Sequence, residues 1–128
     1  SPHHRETRMI HHIDLVVSDF ARSRAFYVQA LEPLAMRPVM DRGPTLTGFG
    51  TLPDPVFWIR AGTVAASLHV AFNAASRAMV EAFHEAALAA GGRNHGGPGY
   101  RPRYETHYYA ACVLDPDGNN IEAVYRGR

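Results

Sequence analysis

A chain of 128 residues, 46% hydrophobic and 20% charged, is long enough for one domain with its own core. A formal net charge of +1, with basic residues scattered along the chain, argues against nucleic acid or a membrane surface as the main partner. The single cysteine, Cys112, excludes an internal disulfide, no apolar run approaches the ~20 residues of a membrane span, and no secretion leader precedes the first strand, so a cytoplasmic protein is expected.

Residues 1–8, "SPHHRETR", are polar and are expected to be a disordered extension or tag remnant, leaving 9–128 as one domain. Residues 10–17 alternate and are rich in Ile, Leu and Val, which predicts a strand. Ser18 and Asp19 supply an N-cap for a helix that runs to about Leu31, where Pro33 stops it. Between 34 and 60, Pro and Gly punctuate three apolar runs, "LAMRPVM", "LTGFGT" and "VFWIRA", read as antiparallel strands. A strand over 67–72 and a helix from Ser76 to Ala90 follow, the helix ended by Gly91 and Gly92. "GGRNHGGPG" reads as a loop, with a weak strand signal at 100–104. Then come a strand in "HYYAACVL", a turn in "DPDG" and a last strand in "NNIEAVYR".

Shifting the chain by 57 positions (69 − 12 = 57) lays His12 on His69 and "AFYVQAL" on "AFHEAAL" without a gap. Such a self-match predicts a duplicated unit, with α+β modules at about 9–62 and 66–126, each roughly βαβββ. Strand alternation assigns the faces. Ile13, Leu15 and Val17 share the packing side of the first strand, with His12 and Asp14 opposite. Leu68, Val70 and Phe72 pack, with His69 opposite, and Ile121, Ala123 and Tyr125 pack, with Glu122 opposite. If the sheets curve, His12, His69 and Glu122 face a common concave interior. Two imidazoles and a carboxylate are the ingredients of an open metal site suited to Fe, Mn, Zn, Co or Ni. A lone strand histidine is ordinarily a solvated residue, and it is the duplicated placement that lifts this pair. His11 is expected to face the other way, and Asp14 to be structural.

"HHIDLVVSDFARSRAFYVQAL", "LHVAFNAASRAMVEAFHEAALAAGG" and "DPDGNNIEAVY" together resemble the vicinal oxygen chelate superfamily, which holds glyoxalase I, bleomycin-resistance proteins, extradiol dioxygenases and fosfomycin-resistance thiol transferases. The resemblance spans nearly all of Met9–Tyr125 and implies paired βαβββ modules forming an incomplete β-barrel around a divalent metal. It implies His12, His69 and Glu122 as metal ligands, with Glu122 also the catalytic carboxylate. The fourth ligand position of glyoxalase I-like members falls on Trp58, which cannot bind metal, and the pocket tyrosine of the dioxygenases falls near Cys112. The implied function is metal-dependent turnover of a small substrate with vicinal oxygens by a lyase, dioxygenase or transferase. The alternative is a non-catalytic drug-binding protein like the bleomycin-resistance members. A homodimer is expected, with His12 joining His69 of its own chain or of a second copy.

Trp58 and Phe49 are candidate pocket walls, since pockets are largely apolar with a few placed polar groups. Tyr100, Arg101, Arg103 and Tyr104 follow the glycine-rich stretch as candidate substrate contacts, and an arginine there suits a carboxylate or phosphate. His107, beside Tyr108 and Tyr109, is a further candidate for the pocket lining.

Overall fold

The computed structural model describes residues 9–51 and 54–127, and the extension expected at 1–8 lies outside them. The first unit comprises β1 (Ile13–Val17), α1 (Phe20–Ala30), β2 (Arg37–Arg42), β3 (Leu46–Thr51) and β4 (Asp54–Ala61). Asp19 caps α1 by accepting from the Arg22 amide at 3.2 Å, and a 3-10 turn over Glu32–Leu34, carrying Pro33, ends it. The sheet order is β1-β4-β3-β2, with β1 parallel to β4 and the remaining pairs antiparallel. The first strand starts later than its apolar pattern suggests, so His11 and His12 precede the ladder.

The second unit comprises β5 (His69–Asn73), α2 (Arg77–Ala89), β6 (Arg93–Asn94), β7 (Gly99–Tyr100), β8 (Tyr109–Leu114) and β9 (Asn120–Tyr125). Ser76 caps α2 through the Met79 amide at 3.2 Å. Its sheet runs β5-β9-β8-β6, with β7 also on β8. Where the first unit has one long edge strand, β2, the second has two short ones. The stretch expected to be all loop contains β6 and the start of β7, because the open edge of β8 accepts backbone partners on both sides of a kink at Gly96, whose φ is +141°. The strand expected at 100–104 is confined to Gly99–Tyr100. The architecture is therefore α+β, two βαβββ-like units with two open sheets and two helices and no closed barrel.

The packing faces meet in one core. Leu15, Val17 and Ile59 are buried with Tyr27 of α1, whose ring lies 5.0 Å from Phe57. Val70, Ile121 and Val113 are buried with Val80 and Phe83 of α2. The helices pack on one another, and Phe57 of β4 meets Phe72 of β5 at 5.2 Å. Each such large apolar side chain contributes roughly 1.5–3 kcal/mol on burial. Leu68, expected to pack, is 47% exposed, because β5 begins only at His69 and its alternation does not reach back.

The "DPDGNN" turn fastens the two units together. The Asp115 carboxylate accepts from the amides of Asp117 (2.9 Å) and Asn119 (2.8 Å), from Asn119 Nδ2 (2.9 Å) and from the Tyr27 hydroxyl on α1. Asp117 accepts from the amide and hydroxyl of Ser18, just ahead of α1, and Asn119 Oδ1 accepts from the Leu68 amide at 2.8 Å. Ser18 is therefore a cross-unit tie, and the N-cap belongs to Asp19 alone.

Candidate functional site

Each sheet has one face against the core and one face free of helix. The free face of the second unit is organised around Glu122, whose side chain is 7% exposed. Its Oε1 lies 2.7 Å from His69 Nε2, and its Oε2 accepts from the Tyr108 hydroxyl at 2.8 Å. Burial, then the bond to Glu122, pushes the Tyr108 hydroxyl up to about 12, so it stays protonated and donating at neutral pH. Cys112 lies directly across from Glu122 on β8. Burial and the neighbouring Glu122 carboxylate raise its thiol to about 11, opposed by Arg101, so it is no thiolate nucleophile at neutral pH. The His69 side chain is 56% exposed, so this pair meets solvent through the imidazole edge, with the Glu122 carboxylate buried behind it.

On the free face of the first unit, His12 lines a 310 Å³ cleft with His11, Leu46, Pro55 and Trp58. Asp14 lies in the same cleft, paired with Arg60 at 2.8 Å. His11 does not face the other way. Its Nδ1 lies 3.0 Å from His12 Nδ1, since neither residue belongs to the ladder and strict alternation does not bind them. With the shared proton on His12 Nδ1, the lone pair of His12 Nε2 is left for a metal; with it on His11, a neutral His12 carries its proton on Nε2.

The sheet registers place Trp58. Asp14 pairs with Trp58 between β1 and β4, and Ala71 pairs with Glu122 between β5 and β9. The 57-residue repeat carries Asp14 to Ala71, so Trp58 occupies the place that Glu122 has in the second unit. Its ring lies over Gly48, where a Cβ would approach the indole to 2.8 Å. The first unit thus presents an aromatic wall where the second presents a carboxylate.

His12 does not join the His69–Glu122 pair within one chain. Among the described residues no three His, Cys, Asp or Glu side chains gather. The reason is geometric. The common core unites the helix-bearing sides of the sheets, so the helix-free sides do not close on one interior in a single chain.

Of the other candidates, Phe49 is fully buried, its ring 6.2 Å from both Tyr27 and Phe57, and is core instead of pocket wall. It pairs with Phe57 across β3 and β4, one residue out of phase with Gly48 and Trp58, and therefore points to the helix side. Tyr100 also turns away from Glu122. It stacks on Tyr109 at 5.0 Å and accepts from Arg77 of α2, while Tyr109 donates to Glu81 of the same helix at 2.6 Å. Arg103 lies over the Tyr104 ring at 5.6 Å, and both are exposed, although Tyr104 packs against Tyr108 at 5.1 Å. His107 is exposed, beside Gly127. Arg101 remains at the Glu122 face. Tyr108 is the residue the site adds. The signal was available, because "DPDG" fixes the β8–β9 hairpin and Tyr108 shares the parity of Cys112, opposite Glu122.

Residues 9–123 match the family model of the Glyoxalase/Bleomycin resistance protein/Dioxygenase superfamily. No curated protein matches. Among solved structures, a glyoxalase/bleomycin resistance protein from Albidiferax ferrireducens is 29% identical with a TM-score of 0.82, over 93% of this chain and 100% of that one. A glyoxalase-related enzyme from Fulvimarina pelagi is 21% identical with a TM-score of 0.71, over 92% and 88%. A glyoxalase/bleomycin resistance protein/dioxygenase family enzyme from Burkholderia phytofirmans is 19% identical with a TM-score of 0.70, over 91% and 98%. No described helix is long and apolar enough to cross a membrane.

Proposed function

The chain belongs to the glyoxalase/bleomycin resistance protein/dioxygenase superfamily, and from that membership we propose that it is a divalent-metal-dependent enzyme acting on a small substrate with vicinal oxygens. The carrying observation is the His69–Glu122 pair, displayed on a helix-free sheet face with Tyr108 behind the carboxylate. Imidazole and carboxylate are donors suited to Mn, Fe, Co, Ni or Zn, and a pair this close fits two adjacent coordination positions. His12 supplies the third donor from a second copy of the chain, whose first-unit face covers the second-unit face of this one. The functional unit is then a homodimer. Bound there, the metal supplies Lewis-acid stabilisation of negative charge developing on the substrate oxygens. Glu122 offsets part of the metal's charge and is the base within reach of the substrate. Tyr108 keeps one Glu122 oxygen occupied and so fixes the carboxylate's orientation. Trp58, in the place of a fourth ligand, forms an apolar wall and leaves a position for substrate.

The test is elemental analysis of protein prepared without chelator. We expect about one divalent ion per chain in the wild type. His12→Ala, His69→Ala and Glu122→Ala should each lose it, and His11→Ala, which removes only a hydrogen-bond partner of His12, should lose less. Failure of the wild type to take up metal, or equal retention by the four variants, overturns the reading.

A second reading is favoured by Trp58 itself. Its indole, with Pro55 and Leu46, lines an apolar cleft suited to stacking a planar ligand. A non-catalytic drug-binding protein predicts tight binding of a planar cationic compound by metal-free protein.

A further inference from the structure

The glycine-rich connector between α2 and β8 is built around one guanidinium. Arg101 Nη2 donates to the Gly97 carbonyl at 2.9 Å, and the Arg101 amide donates to the Tyr108 carbonyl at 2.7 Å. A Cβ on Gly96 would lie 3.3 Å from Nη2, and one on Gly99 would lie 3.1 Å from Nη1. Both glycines leave room for the charged head. That same Gly96 Cβ would lie 3.8 Å from Cys112 Cβ, and Cys112 is the residue opposite Glu122. The guanidinium therefore sits over the row of the sheet that carries the candidate ligand.

Among the described residues no carboxylate pairs with it directly. Arg24, Arg60 and Arg126 are paired with Asp41, Asp14 and Glu105. Arg77 donates to the Tyr100 hydroxyl, and Arg103 lies over the Tyr104 ring. Arg101, half-buried, has only a backbone carbonyl and no acidic partner among the described residues. Glu122 makes no direct ion pair with it, its carboxylate oxygens being held by His69 and Tyr108. The remaining N–H donors of the fork are left for a ligand, and their planar geometry matches a carboxylate or a tetrahedral oxyanion.

We propose that Arg101 binds an anionic arm of the substrate, so that the substrate class is a small molecule whose metal-chelating oxygens lie a few atoms from a carboxylate or phosphonate. The assignment rests on the metal-site reading above for the chelating half and on Arg101 alone for the anionic half.

The probes are three 2-hydroxy acids with the same chelating end: lactate, which ends in a methyl; malate, which adds a carboxylate; and 2-hydroxy-3-phosphonopropanoate, which adds a phosphonate. Each is titrated by calorimetry into full-length protein loaded with Mn²⁺, the loading being read separately by electron paramagnetic resonance. One or both dianions should bind at least about tenfold more tightly than lactate, the scale of a charged hydrogen bond. The larger preference names the anion. Arg101→Met should remove the preference and leave lactate binding unchanged. Gly99→Ala, which pushes the guanidinium aside without deleting it, should reduce the preference while Mn²⁺ loading holds. Equal affinity for all three acids in the wild type overturns the proposal, as does a preference that survives Arg101→Met. If Mn²⁺ does not load, the metal-site reading falls, and the same titrations on metal-free protein decide Arg101 by the same criteria.

Discussion

At the scale of single residues, Tyr108 separates orientation from ligation. It touches Glu122 at 2.8 Å but offers no coordinating atom while its hydroxyl is protonated. Removing the hydroxyl frees Oε2 and lets the carboxylate rotate. Loss of such an outer hydrogen bond typically costs about 10- to 100-fold in metal affinity. Tyr108→Phe should therefore weaken Mn²⁺ binding by about that factor, measured by competition with a chelator, with little change in melting temperature. Unchanged affinity would make Tyr108 a packing residue. Its face was legible once the β8–β9 hairpin was recognised, whereas that of Phe49 was not. Phe49 and Trp58 both read as strand aromatics suited to a pocket wall, and only the β3–β4 register separates them by one residue and hence by one side of the sheet.

At the scale of elements, the strands and helices were readable because each carries its own hydrophobic period and cap, as at Asp19 and Ser76. The edge of the second sheet was not, since β6 and β7 are two residues each and depend on β8 for their partners. The role of "DPDG" was half legible. It reads as a turn, yet its carboxylates reach Tyr27 of α1 and Ser18 ahead of that helix, which no local pattern announces. Asp115 is 2% exposed and satisfies two amides, one side-chain amide and the Tyr27 hydroxyl. Asp115→Ala leaves buried donors unpaired and should destabilise the fold by about 3 kcal/mol or more. Urea unfolding monitored by circular dichroism measures this, and a loss below about 0.5 kcal/mol would mean that water replaces the carboxylate.

At the scale of the whole molecule, alternation placed Glu122 opposite the packing residues of β9, but His12 precedes its strand, and the common interior expected for His12, His69 and Glu122 does not form within one chain. Alternation assigns a side of a strand, and says nothing of how two sheets are turned relative to each other. A site completed by a second copy makes a prediction that a site within one chain does not. His12→Ala and Glu122→Ala homodimers each lack a ligand in both sites. Unfolded together and refolded, their mixed dimers hold one site with His12, His69 and Glu122 intact and one with two ligands missing. Metal binding should reappear in the mixture, in half the sites of the mixed dimers, and its absence there would return all three ligands to a single chain. The fold also supplies its own reporter for this experiment. Trp58 is the only tryptophan and sits in the cleft with His12. Its emission, excited selectively over the tyrosines, is a single-site optical signal on the face that a second copy would cover, where a bound paramagnetic ion would quench it.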